Sequence, residues 1–344
     1  HDGGDLRDAT GWNHSPPVKS RQAGSITRVG STVPRLTGFA ACVTGVTAQG
    51  ILSVAHVSVV IPAYNGTSRY LNEAIRSVQA QSFADYEIIV VDDASTDRTD
   101  ALVQAIPQVR YVRHSKNAGQ AAARNTGAQL AQAPYLAFLD QDDLWEPTFL
   151  ERTLAILEPA TGAVLVHCDG YQVNERNDIL EYDAAMKHQR SITQLLRGGH
   201  DAATSGSLFR KTWFDSVGGY DAALSIWEDI DLAIRLYGPE RFIHLPEPMY
   251  RHRLYGHNAS RDIPSLRALD GRRRFLEKHA ATCRPGTPEG EALSNDWAIY
   301  YADLGKHHLR AHARQEARQA FRFALRHQPL NFKTWSRLLR SYFV

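Results

Sequence analysis

From Val57 onward, short apolar runs alternate with stretches of helical period, and this rhythm restricts the possible folds more than any other feature. VSVVI (57–61), EIIVV (87–91), VRYV (109–112), YLAFL (135–139) and AVLVH (163–167) have the length and content of buried strands. Between them, YLNEAIRSVQAQ (70–81) puts Leu71, Ala74, Ile75 and Val78 on one helical face. TDRTDALVQAI follows Ser95 as an N-cap, an Ala-rich helix covers about 120–132, and Pro147 starts PTFLERTLAILE. Strands alternating with helices need crossover connections, so the expected fold is α/β, a mostly parallel sheet flanked by helices.

In open sheets of this kind, ligands bind beyond the carboxyl ends of the strands. That rule selects PAYNG after the first strand, DDASTD after the second and DQDD after YLAFL. Asp140 and Asp142 flank Gln141, and residues i and i+2 of an extended chain point the same way. Two converging carboxylates are costly unless a positive group lies between them. A divalent cation bound to a diphosphate would supply it, because Mg²⁺ and Mn²⁺ combine one or two carboxylates with phosphate oxygens. A polar turn capping the next helix is an equal reading of DQDD alone. Asp143 and Glu146 are assigned to that turn and helix. In WEDIDLAIRL, Glu228, Asp229 and Asp231 precede apolar helical positions, where acids also serve simply to stabilise a helix start.

Composition narrows the classes. With 39 basic and 37 acidic residues the net charge is +2, which argues against a nucleic-acid partner unless the cations cluster. They cluster only near the C-terminus. There Arg310, Arg314, Arg318, Arg322 and Arg326 recur every fourth residue, either as a solvated helix face or as contact with an anionic membrane surface or acidic partner. Cys42, Cys168 and Cys283 form no CxxC, so neither a zinc site nor a disulfide framework is indicated and a cytoplasmic setting is expected. Gly38–Ala63 is uncharged but too polar for a membrane span. No Met precedes Met186, and residues 1–53 are expected to be a disordered or non-native extension. A main domain over 54–260 and a helical region over 261–344 complete the expected organisation. Ala317 and Ala324, seven apart, suggest one tetratricopeptide-type hairpin over about 297–330.

Taken in order, VSVVIPAYN, VVDDAST, KNAGQAAARNTG, FLDQDDLW, VGGYD and WEDIDLAIRL closely resemble the family-two glycosyltransferases with the GT-A fold. The resemblance covers about 200 residues, from Val57 to near Ser260. It implies that Pro62, Ala63 and Tyr64 line a nucleotide pocket, that Asp93 contacts the base, and that Asn117, Gly119 and Arg124 sit beside the nucleotide. Asp140 and Asp142 match the family's DxD, with Asp142 the direct ligand of a divalent Mg²⁺ or Mn²⁺. Asp229 matches the general base, and Glu228 would position the acceptor or the base. Tyr250 and Arg251 match a YR element, but Arg253 stands where a histidine is frequent, with His252 and His257 nearby. The implied reaction is inverting transfer from a nucleoside-diphosphate sugar, of UDP or dTDP type, to a glycan or lipid-linked acceptor.

Other readings fit less well. A processive synthase usually carries QxxRW and membrane spans, and a sugar-phosphate nucleotidyltransferase carries a Gly-rich basic signature that PAYNGTSRY lacks. The acids of VVDDAS do not follow the first strand, as a receiver domain requires. A non-catalytic nucleotide-sugar-binding or scaffold protein with a helical partner-binding tail remains the alternative from a different class.

Overall fold

The computed structural model describes residues 54–66, 69–184, 191–196, 204–238, 240–255 and 265–343. The extension over 1–53, most of Gly38–Ala63, Cys42 and His257 lie outside the described residues.

The first half of the sheet follows the apolar rhythm. β1 (Val57–Ala63), α1 (Arg69–Gln79), β2 (Tyr86–Asp92), α2 (Thr99–Gln104), β3 (Val109–Arg113), α3 (Gln120–Leu130) and β4 (Tyr135–Phe138) succeed one another. β1 is buried at every position, and it lies parallel to β2 and to β4, while β2 lies parallel to β3. α3 approaches β1 so closely that a Cβ at Gly127 would stand 2.2 Å from Val60 Cγ1, so glycine is required there. Ser95 does not cap α2. Its hydroxyl accepts Asn65 N, and Asp97 receives Thr99 N instead, so the helix starts three residues later than the pattern predicts.

The second half of the sheet is mixed. β5 (Leu144–Trp145), α4 (Phe149–Leu157), β6 (Leu165–Val173), β7 (Ile179–Asp183), α5 (Ile192–Leu196), β8 (Ser207–Arg210), α6 (Lys211–Ser216), α7 (Glu228–Leu236) and β9 (Phe242–Arg253) follow in sequence. The sheet order is β3-β2-β1-β4-β8-β6-β9-β5, with β7 beside β6. β8 runs antiparallel to both β4 and β6, and β5 runs antiparallel to β9. Leu144 and Trp145, which lie between the DQDD acids and the helix expected from Pro147, pair with Arg251 and Tyr250, and the helix begins at Phe149.

Four helices end the described chain: α8 (Leu266–Ala280), α9 (Pro288–Arg310), α10 (Arg314–His327) and α11 (Phe332–Phe343). α9 and α10 form a hairpin whose contact is set by small residues. A Cβ at Gly305 would meet Phe321 at 2.5 Å, and Ala317 and Ala324 are buried. One apolar core joins Leu195 and Leu196 of α5, Ile230 and Ala233 of α7, Phe275 of α8 and Trp297 of α9. The arginine stripe is partly structural: Arg318 lies 4.4 Å from the Tyr342 ring centroid, and Arg322 donates to the Tyr342 hydroxyl at 2.8 Å. Among the described residues no helix is long and apolar enough to cross a membrane. Cys168 and Cys283 are free and buried, and burial pushes both thiols up from their ordinary range.

Candidate active site

The loops after β1, β2 and β4 meet at one edge and are bonded to each other. Tyr64 N donates to Gln141 Oε1 at 3.0 Å, and Gln141 Nε2 returns a bond to Tyr64 O at 3.1 Å. Thr96 N donates to Asn65 Oδ1 at 2.8 Å, and Gly66 N to Thr99 Oγ1 at 2.7 Å. The residue between Asp140 and Asp142 therefore ties the first loop to the third. Pro62 and Ala63 end β1 beneath this edge and are buried, whereas Tyr64 is exposed.

Asp93 is buried and acts as the anchor of the 114–119 loop. Its carboxylate accepts Ala118 N at 2.8 Å and Gly119 N at 2.7 Å, and meets His114 Nδ1 at 2.8 Å. Asn117 Nδ2 donates to the Asp93 carbonyl at 3.2 Å. Gly119, at φ 91°, turns this loop into α3, a conformation that favours glycine. Asp93, Asn117 and Gly119 thus form one local unit. Its neighbour Asp92 is fully buried and takes Arg113 at 2.8 Å and the Tyr111 hydroxyl at 2.5 Å.

Arg124 links the two acid groups. Its side chain is 2% exposed; one Nη donates to Asp140 Oδ1 at 2.5 Å and the other to Glu228 Oε1 at 2.8 Å. Gln120 Nε2, one turn earlier on α3, also reaches Glu228 Oε1, at 2.5 Å. Burial alone would weaken the guanidinium's charge, but Asp140, Tyr220 and Glu228 around it more than offset this and hold its pKa above the ordinary value. Asp229 is half-buried, and its Oδ1 accepts Ile230 N at 2.8 Å. The resemblance set Arg124 beside the nucleotide; its bonds in the structure run between carboxylates.

The remaining acids of DQDD have separate environments. Burial and the neighbouring Asp140 charge raise the Asp142 pKa, against the Tyr255 hydroxyl that donates to its Oδ2 at 2.9 Å. Asp143 is more deeply buried, which pushes it up to about 7. It accepts Ser205 Oγ at 2.6 Å and Arg253 N at 3.1 Å. Asp143 therefore braces the loop from inside rather than capping α4. Glu146 pairs with Arg251 at 2.6 Å, and so holds β9 rather than a helix start.

Arg253, in the position where the family resemblance leads one to look for histidine, is a fully buried clamp. Its guanidinium bonds Asp142 O at 3.0 Å, Glu175 O at 3.0 Å and Glu73 at 2.7 Å, and stacks 4.4 Å from the Tyr70 ring centroid. Ser205, Tyr255, Gln120 and Tyr220 were also missed by sequence reasoning. Ser205 lies 65 positions from Asp140 and Tyr255 lies 113 from Asp142, so no local pattern links them.

Among the described residues no three His, Cys, Asp or Glu side chains gather as a metal cluster. Two hard carboxylates, Asp140 and Asp142, are nonetheless the donor set with which a divalent cation shares its sphere with phosphate oxygens. They fit such a cation as a minority of its ligands.

Residues 58–218 match the family model of glycosyl transferase family 2. A putative teichuronic acid biosynthesis glycosyltransferase, TuaG of Bacillus subtilis, is 35% identical over 145 residues, covering 38% of this chain and 57% of that protein. A chondroitin synthase of Escherichia coli is 27% identical over 210 residues, covering 59% and 30%. Among solved structures, S. aureus TarS 1-349 in complex with UDP-GlcNAc has a TM-score of 0.58 at 17% identity, covering 83% of this chain and 89% of that one. This likeness shows the fold, the GT-A arrangement of a mixed sheet flanked by helices. The chain spans from 22% to 57% of the length of curated relatives it matches.

Proposed function

With residues 58–218 belonging to glycosyl transferase family 2, we propose that the chain is a metal-dependent, inverting, non-processive transferase that moves a sugar from a nucleoside diphosphate to an acceptor hydroxyl. The observation that carries this reading is Arg124. It joins Asp140 on the donor side to Glu228 on the acceptor side within one bonded chain, so both halves of a transfer reaction meet at one sheet edge.

In the proposed step, Asp229 takes the proton of the acceptor hydroxyl while that oxygen forms a bond to the anomeric carbon. The bond from that carbon to the diphosphate oxygen breaks, and its electron pair leaves with the nucleoside diphosphate. One displacement inverts the anomeric centre, through an oxocarbenium-like transition state of the kind glycosidases use. Glu228, held by Arg124 and Gln120, positions the acceptor or the base. Asp142 and Asp140 would hold Mg²⁺ or Mn²⁺, whose charge offsets that of the leaving diphosphate. Pro62, Ala63, Tyr64, Asp93, Asn117, Gly119 and Arg124 make up the proposed nucleotide side.

A uridine-diphosphate sugar is the first donor to test, supported by the TarS complex with UDP-GlcNAc; a dTDP sugar is the second. A glycan or lipid-linked acceptor, in cell-surface polysaccharide or glycoconjugate synthesis, is supported by the printed names of the teichuronic acid and chondroitin relatives. Peripheral contact with the inner face of a membrane is supported by residues 306–344, which carry nine Lys or Arg against the single acid Glu316. On the same segment Phe332, Trp335 and Leu339 are exposed. Co-sedimentation with anionic vesicles that fades with added salt is the expected result; equal binding to neutral vesicles overturns it.

The test of the function is a panel of nucleotide sugars with Mn²⁺, comparing wild type with Asp229→Asn. Loss of general-base assistance should lower transfer by ~10²–10⁴-fold while nucleotide affinity is kept. Wild-type turnover in that variant would sink the assignment, and failure of wild type to transfer or hydrolyse any donor would favour a binding protein.

A further inference from the structure

The segment carrying Glu228 and Asp229 is gripped along its length by α8. Ser225 Oγ donates to the Arg267 carbonyl at 2.9 Å. Gly271 lies so close that a Cβ would stand 2.4 Å from Ser225 Oγ and 3.3 Å from Ile226 N. Lys278 reaches Asp221 at 2.7 Å and Asp231 at 2.8 Å, and His279 Nε2 meets Asp231 Oδ1 at 3.1 Å.

Trp227 stands inside this grip, directly before Glu228, with φ 62° and ψ 20°. Bulky side chains avoid this left-handed region, and residues kept there are held by their surroundings. Here the surroundings are α8 and, behind it, α9. The Arg272 guanidinium lies 4.6 Å from the indole centroid, and Phe275 packs edge-on at 5.1 Å. Arg272 is fixed in turn by Asp296 at 3.2 Å and Asp303 at 3.5 Å.

We infer that Arg272 is a positioning residue for the proposed transfer, clamping Trp227 in its left-handed conformation and so setting the direction in which α7 presents Glu228 and Asp229. The inference rests on the reading of Asp229 as the base. Because Trp227 is the residue from which α7 departs, a change in its backbone angles rotates the start of that helix. Besides the Arg124 bridge to Glu228, the donor-side acids have holds outside this grip, Asp140 from Ser205 and Asp142 from Tyr255 and Arg253. The clamp should therefore act on turnover and leave donor binding alone.

Removing Arg272 by itself would leave Asp296 buried without its cation, so the test uses Arg272→Met/Asp296→Asn, which removes both charges at similar volume. Steady-state kinetics with the best donor of the panel should show kcat lower by about 100-fold, the scale of a 1 Å misplacement. The donor KM should stay within about twofold, as expected when only a transition-state interaction is lost. Arg272→Lys, which restores a cation beside the indole, should recover part of kcat. Should the paired variant fail to fold, Trp227→Gly keeps the left-handed angles accessible without the ring, and kcat should again fall by at least about tenfold. Unchanged kcat in the paired variant, or in Trp227→Gly where that variant is used, overturns the clamp. Retained transfer in Asp229→Asn sinks the base assignment itself; full transfer in Arg272→Met/Asp296→Asn beside an inactive Asp229→Asn sinks only the clamp.

Discussion

Asp140, Asp142 and Asp143 form one acid cluster; Glu228, Asp229 and Asp231 form the other, across Arg124. Each cluster contains a buried acid outside the proposed reaction, Asp143 in one and Asp231 in the other, and these two differ in a way sequence does not reveal. Asp143 takes its direct hydrogen bonds from neutral donors, Ser205 Oγ and Arg253 N, and burial outweighs the nearby His252 and, with Asp142 and Asp140 beside it, pushes its pKa up to about 7. Asp231 is buried as completely, yet it faces His279, Lys278 and Arg235, which outweigh desolvation and hold it at about 2. Burial does not decide the state of a carboxylate; the charge of what it is buried against does.

The largest expected effect lies in the first cluster. Asp142→Ala should weaken Mn²⁺-dependent donor binding by at least about 100-fold in calorimetry, since even groups supporting a metal ligand cost 10–100-fold when removed. Equal affinity with and without Mn²⁺ in wild type would erase the proposed difference between the clusters.

Next comes Asp231→Asn. Lowering a carboxylate from 3.8 to about 2 corresponds to about 2 kcal/mol of stability, read in urea denaturation. The sign follows from the folded state binding the proton less readily than the unfolded chain. This stabilisation is present above pH 3.8 and disappears as pH falls through about 2, so the variant and wild type should converge in acid. A constant difference across that range would show that Asp231 acts by shape and not by charge.

Asp143→Asn should cost least, about 1 kcal/mol, because the amide oxygen can still accept from Arg253 N while the Ser205 hydroxyl, which meets the other carboxylate oxygen, can turn to accept from the new NH2. A loss larger than that of Asp231→Asn would reverse the comparison.

The legibility of the molecule follows the same division. β1 to β4 and the three loops beyond them could be read directly, because period and strand-end rules act over a few neighbours. Asp140, Asp142, Glu228 and Asp229 were visible as acids at element boundaries. The antiparallel β8, inserted between β4 and β6, was not visible, since SLFR carries no signal of its partners. Ser95 reads as a helix cap until Asn65, thirty positions earlier, is found to claim its hydroxyl. The Arg253 clamp reaches Glu73 across 180 positions, a relation that exists only after the sheet has closed.

The apolar core shared by α5, α7, α8 and α9 bears on how the chain can be divided for expression. A fragment ending near residue 260 would keep every residue assigned to the transfer reaction and still lose the inner wall behind them. Ile230 and Ala233 of α7 would lose their apolar partners on α8 and α9, and Asp231 its partners Lys278 and His279. Shortened versions for crystallisation or donor exchange should therefore keep α10 as well, because it packs Phe321 against Gly305 of α9 and adds Ala324 to the same core.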